Sequence, residues 1–154
     1  MSITYDVLEP SNDYEASVKK LSEVIGPLCV KSWEENKKAN YGKPFNLNVV
    51  VFTQLWYSKT LKLFVARKDD EIIGFLCGMV FRPLPYDASV FQIEDWYAGG
   101  DHVVEEGLFN FLAQALKFIG CDEIWVSTSV GKSLPAMPGW SEKNQFTQHR
   151  FLKE

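Results

Sequence analysis

The sequence predicts a mixed α+β fold, a twisted sheet of six or seven strands with helices on both faces. Three observations carry this expectation. The stretch "LKLFVARKDDEIIGFLCGMVF" holds two β-rich runs on either side of a short polar turn, which is the pattern of an antiparallel hairpin. Further on, "ASVFQIEDWYA", an amphipathic stripe and "DEIWVST" form a strand, helix, strand series, so the last strand returns parallel to the first. Ahead of the hairpin, Tyr14, Val18, Leu21 and Ile25 recur at helical spacing.

Taken in order, "ITYDVLEP" reads as a short first strand. Asn12 and Glu15 have capping-box spacing and open a helix with one apolar stripe. "IGP", from Ile25 to Pro27, breaks that helix because proline has no N–H to give, and "PLCVKSWEENKKAN" starts a second helix with a solvated polar end. "NLNVVVFTQLWYSK" is ambiguous: its β-branched residues favour a strand, while Phe52, Leu55 and Trp56 fit one helical face. The hairpin turn falls at Lys68 to Glu71, and the proline-rich "RPLPYD" is a loop. Val104, Leu108, Phe111, Leu112, Ala115 and Ile119 then trace a helix from about Val103 to Ile119, with Gly120 as its stop. Trp96 and Trp125 are thereby placed on neighbouring parallel strands. "VGKSLPAMPGW" reads as a loop or one short turn, and "NQFTQHRFL" as an edge strand that closes the chain.

With 154 residues, 46% of them hydrophobic and 14% aromatic, the chain is expected to form a single domain over 1–154 with its own core. A net charge of −4 gives no electrostatic footprint for nucleic acid or an anionic membrane. No apolar run approaches the roughly 20 residues of a membrane span. "MSITYDVLEP" lacks the basic start and apolar centre of a secretion signal, so a non-secreted, cytoplasmic protein is expected. Cys29, Cys77 and Cys121 are odd in number and sit among apolar residues, as reduced core thiols do. The functional alternative, a cysteine nucleophile paired with His102 or His149, needs a spatial pairing that spacing alone does not supply. There is no His-x-x-x-His or Cys-x-x-Cys spacing, and no metal is expected.

Gly131, Lys132 and Ser133 follow a strand as the tail of a P-loop would, but the position of its first glycine holds Val126, and Pro135 disrupts the helix start. A solvated turn is the better reading. Most of the five Trp, six Tyr and eleven Phe belong in a core. Trp33, Tyr41, Trp56 and Tyr57 come from segments with polar faces and are candidates for partly exposed anchors of a protein partner.

The element order, together with "LKLFVARKDDEIIGFLCGMVF", "DWYA" and "LFNFLAQALKFIGCDEIWVS", resembles the GNAT N-acetyltransferase superfamily over almost the whole chain. "FNLNVVVFTQLWYSKTLKLFVARKDDEIIGFLCGMVFRPLPYDAS" is similar to its phage-encoded branch, and "PGWSEKNQFTQHRFLK" ends comparably. The resemblance implies that the ambiguous segment is a helix. It also implies acetyl-CoA between the fourth and fifth strands, its pantetheine on fourth-strand backbone around Trp96 and Ala98, and its pyrophosphate on the following turn. The family turn reads Arg or Gln, two residues, Gly, one residue, Gly or Ala. Those three places fall here on Gly100, Val103 and Glu105, none of which matches. The missing Arg removes a charge-assisted bond, a Cβ at Val103 crowds the backbone that must meet phosphate, and Glu105 repels it. A register shift of a few residues is the one arrangement that would put Gly99 and Gly100 to use. As it stands, Asp101, Glu105 and Glu106 satisfy the positive end of the helix, Asp101 as its cap.

The family's fourth-strand base falls on Glu94, whose bland alternative is a polar residue ending a half-exposed strand. Strict alternation puts Val90, Gln92, Glu94 and Trp96 on one face and Phe91, Ile93, Asp95 and Tyr97 on the other. The tyrosine that usually serves as general acid has no counterpart in "VGKSLPAMPGW". The histidines of the phage branch fall on Pro83 and Pro85, which leaves Tyr86 as a second catalytic candidate. The expectation is a GNAT-fold protein that has lost acetyl-CoA, needs no cofactor, and serves as a protein-interaction or virion component. Its partner would be a virion or host protein, in the virion or the host cytoplasm. The alternative is an N-acetyltransferase moving an acetyl group from acetyl-CoA to an amine or protein lysine. The oligomeric state is left open.

Overall fold

The computed structural model describes residues 2–35, 47–85, 87–127 and 139–140. Its strands are β1 (Ile3–Val7), β2 (Leu61–Lys68), β3 (Glu71–Phe81), β4 (Val90–Tyr97) and β5 (Glu123–Trp125). Its α-helices are α1 (Tyr14–Lys20), α2 (Gly26–Glu35), α3 (Val49–Tyr57) and α4 (His102–Ile119). The strands form one sheet in sequence order, antiparallel throughout except for β4 and β5, which run parallel. This is the expected mixed sheet, with five strands among the described residues where six or seven were expected. The expected closing strand "NQFTQHRFL" lies outside the described residues.

The hairpin forms where the sequence puts it. Asp69 and Asp70 have φ of 52° and 66°, the left-handed backbone that a two-residue turn needs to match the twist of its strands. The ambiguous segment is helical, and Asn48 caps it by accepting from Val51 N–H at 3.2 Å. Two local expectations are corrected. The first helix is capped by Asp13, which accepts from Glu15 N–H, and not by Asn12. "IGP" does not stop the helix either. Leu21–Ile25 widens into a π-turn in which Gly26 N–H reaches back to Leu21 C=O, and the helix then continues through Pro27 as α2. Widening the turn is a way to carry a proline, which cannot make the ordinary bond.

Both faces of the sheet are covered, as expected. Phe64, Ala66, Leu76, Phe91 and Ile93 face α4 with Val104, Leu108, Phe109 and Leu112. Leu63, Val65, Phe75 and Cys77 face the other helices with Leu21, Ile25, Leu28 and Trp56. The interleaved numbers on β2 and β3 are the period of two of strands buried on both sides. Gly107 on α4 has a packing role, since a Cβ there would overlap the Tyr5 hydroxyl and ring.

The alternation fails on β4. Cys77 lies opposite Asp95 and Gly78 opposite Ile93, so Glu94 faces no β3 residue and forms a bulge. Ahead of it Phe91 and Ile93 point toward α4; after it Trp96 does, while Tyr97 joins the opposite cluster. The expected common face of Phe91, Ile93, Asp95 and Tyr97 is therefore corrected, because one extra residue inverts everything beyond it. Gly78 allows the bulge, as a Cβ there would meet Gln92 C=O and the Phe91 ring.

Candidate functional site

β4 and β5 pair only from Val90 and Glu123 to Gln92 and Trp125. β4 runs on to Tyr97, whereas β5 ends at Trp125, so among the described residues β4 has no strand partner on that side from the bulge onward. A ligand laid along such an edge would bond to backbone N–H and C=O groups. At Trp96, both are already bonded within the chain. Its N–H donates to Asp95 Oδ1 at 2.9 Å, and its C=O accepts from Ser32 Oγ at 3.2 Å. Ser32 also lies 2.8 Å from Asp95 Oδ1 as donor, so one buried hydroxyl of α2 ties the carboxylate and the strand together.

The turn after β4 closes on itself in the same way. Asp101 N–H donates to Ala98 C=O at 3.1 Å, and Gly99 and Gly100 between them have φ of 66° and 75°. That left-handed pair is why glycines stand here. Asp101 then caps α4, accepting from Val103 N–H at 2.9 Å. Glu105 sits one turn in and accepts from Trp96 Nε1 at 3.4 Å, which aims its carboxylate at the end of β4. Val103 stands in solvent, 66% exposed. Its C=O accepts from the Tyr5 hydroxyl at 3.4 Å, and burial, then the Asp101 charge, push that hydroxyl's pKa upward.

The structure thus brings Trp96, Ala98, Gly100, Val103 and Glu105 together at one end of the sheet, with the exposed Glu94 on the bulge beside them. Tyr86, His149 and the "VGKS" turn lie outside the described residues. Of the expected aromatic anchors, Tyr57 is 39% exposed but Trp56 is buried, its Nε1 donating to Leu8 C=O at 2.9 Å; Tyr41 lies outside the described residues. All three cysteines are free and buried. Burial, then the nearby Asp95 carboxylate, push Cys29 up to about 12 and Cys77 well above its usual range, so neither thiol is a thiolate nucleophile near neutral pH. Among the described residues no group of three His, Cys, Asp or Glu side chains could hold a metal ion, and no helix is long and apolar enough to cross a membrane.

Ser32 and Asp95 were not singled out from the sequence. A signal was present, since Ser32 continues the Leu21, Ile25, Leu28 stripe and is a polar residue in an apolar register.

No protein-family profile and no curated protein matches the sequence. Solved structures do match. A crystal structure of a probable acetyltransferase superposes with a TM-score of 0.69 at 18% identity, covering 100% of this chain and 99% of that one. The fold is that of the GNAT acetyltransferases. An aminoglycoside acetyltransferase from an uncultured soil metagenomic sample, solved with sisomicin, is similar with a TM-score of 0.60 at 17% identity, over 83% of this chain and 78% of its own. A predicted acetyltransferase from Clostridium acetobutylicum, solved with acetyl-CoA, gives 0.54 at 14% identity, over 93% and 96%.

Acetyl-CoA is what the resemblance implies, and the polar groups that would meet it here are bonded within the chain. A pyrophosphate needs free N–H groups at a helix start and a positive surround. Here the Val103 N–H is taken by Asp101, and the Glu105 carboxylate stands at the end of β4. The strand groups at Trp96 are occupied as well.

Proposed function

We propose that this chain is a GNAT-fold protein that has given up acetyl-CoA at its fourth-strand groove and acts by binding another protein. The observation that carries the reading is the capped helix start, in which Asp101 holds the N–H a pyrophosphate would need. The similarity of its central segment to the phage-encoded branch supports a role as a virion component or as a binder of a host protein. The test is an equilibrium titration with acetyl-CoA, backed by thermal shift. A ligand at a hundred times its dissociation constant adds about 2.7 kcal/mol to stability, so real binding cannot hide. No saturation is expected up to about millimolar ligand. Restoring the family pattern with Gly100→Arg, Val103→Gly and Glu105→Gly is expected to raise CoA affinity. The same change weakens α4, by roughly 1 kcal/mol for each glycine at a fully helical position.

A second reading has an observation of its own. Glu94 is exposed on the bulge beside the parting of β4 and β5. On that reading the chain is an N-acetyltransferase acting on an amine or a protein lysine, with Glu94 as the base. Micromolar binding of acetyl-CoA by the unaltered protein would decide for it.

A further inference from the structure

The acidic turn accounts for only one end of the groove. The resemblance also lays the two amides of a CoA thioester along the fourth strand, and the backbone groups at Trp96 on that strand are bonded to other residues. Helix α2 crosses β4 just past the bulge, and Ser32, 1% exposed, reaches both Asp95 Oδ1 and Trp96 C=O. Asp95 in turn holds the Trp96 N–H. The donor and acceptor that an acyl-pantetheine amide would use on Trp96 are met by a carboxylate and a hydroxyl in the same two roles.

We propose that Ser32 and Asp95 are the specificity-determining residues of the groove: together they stand in for the pantetheine amide and exclude acyl-pantetheine ligands independently of the acidic turn. The inference rests on the reading that the donor site is filled from within, and extends it from the pyrophosphate end to the pantetheine end. A ligand must displace the bond from Trp96 N–H to the Asp95 carboxylate and the longer Ser32 contact to Trp96 C=O, whose one proton is shared with Asp95, before it can form its own.

The probe is acetyl-pantetheine, which carries the thioester and both amides but no pyrophosphate, and so is indifferent to Asp101 and Glu105. Its affinity is measured by calorimetric titration for the wild type, Ser32→Ala, Asp95→Ala and Asp95→Asn. The expected result is at least about tenfold tighter binding for Ser32→Ala and Asp95→Ala than for the wild type, the scale of one hydrogen bond no longer in competition. Asp95→Asn keeps an acceptor oxygen and is expected to bind as poorly as the wild type, which a merely loosened fold would not reproduce. Equal affinity in the wild type and Ser32→Ala, whether strong or negligible, overturns the proposal. If Asp95→Ala gives no cooperative melt, Ser32→Ala, which removes a single oxygen, decides alone. Micromolar binding of acetyl-CoA by the wild type would sink the proposed function, whereas the assignment of Ser32 and Asp95 stands or falls on the ratio between variant and wild type for acetyl-pantetheine.

Discussion

The two halves of β4 are held by different physics. Val90 to Ile93 lies between β3 and β5, with Val90, Phe91 and Ile93 buried, and is fixed by ladder bonds and apolar packing. Asp95 to Tyr97, beyond the bulge, pairs with β3 alone among the described residues. There the anchors are polar, with Ser32 and the Asp95 carboxylate bonded to strand backbone and Glu105 bonded to the Trp96 ring. The first half is a core strand that builds the fold. The second is a strand end whose backbone groups at Trp96 are bonded within the chain. One half of the strand is thus secured by packing and the other by polar contacts.

That contrast predicts a steep difference in mutational cost. Phe91, fully buried and edge-on to Phe64, is the probe of the first half. Phe91→Ala is expected to cost about 3 to 5 kcal/mol in chemical denaturation, the range for a large aromatic removed from a core. A loss below about 1.5 kcal/mol would mean that the paired half is no better anchored than the open one. The boundary between the halves is probed by Gly78→Ala, whose Cβ would meet Gln92 C=O and the Phe91 ring. The expected cost is about 1 to 3 kcal/mol from overpacking, and no cost would show that the bulge yields.

The first half was legible in the sequence and the second was not. Apolar residues alternating on "ASVFQI" announce a buried strand, and the Gly120 stop and the hairpin turn are local features that tertiary packing left in place. The bulge at Glu94 has no such mark, because it depends on a glycine of a different strand, Gly78, leaving room for Gln92 C=O. Alternation carried through it assigned Asp95 and Tyr97 to the wrong face. The Ser32 contact joins residues 63 and 64 positions apart, and nothing in local sequence states which strand a serine will reach. The capped turn is the instructive exception. Asp101 acts within its own helix end, so the sequence alone sufficed to place it.

Smaller effects sharpen the contrast at the second half. Asp101→Ala removes the cap of α4 and is expected to lower stability by about 1 kcal/mol, read from the urea midpoint. An unchanged midpoint would mean that Val103 N–H finds another acceptor. The thiols beside Asp95 give this region a pH signature. Cys29 rises from an ordinary 9.0 to about 12 in the folded chain, so the folded state holds its proton where the unfolded state releases it. Its contribution is fully present below about pH 9 and is lost as pH climbs toward 12. Native protein is therefore expected to resist iodoacetamide at pH 8.5 and to lose stability above about pH 9, with rapid native alkylation as the contrary result.

The smallest expected effect belongs to Glu94, the residue on which the sequence resemblance places a base. Glu94 is exposed and faces no residue of β3, so neither packing nor ladder depends on its charge. Glu94→Gln keeps its length and polarity and is expected to change stability by less than about 0.5 kcal/mol. On the proposed reading function follows stability, because a base has work to do only where an acetyl donor binds, and Trp96 N–H, Trp96 C=O and Val103 N–H are bonded within the chain. In an acetyl-transfer assay with an amine acceptor, wild type and Glu94→Gln are expected to be indistinguishable. Turnover in the wild type that this one substitution abolishes would reverse the argument: the carboxylate would then act in proton transfer, and the bonds that close the groove in the free protein would have to open to admit the donor.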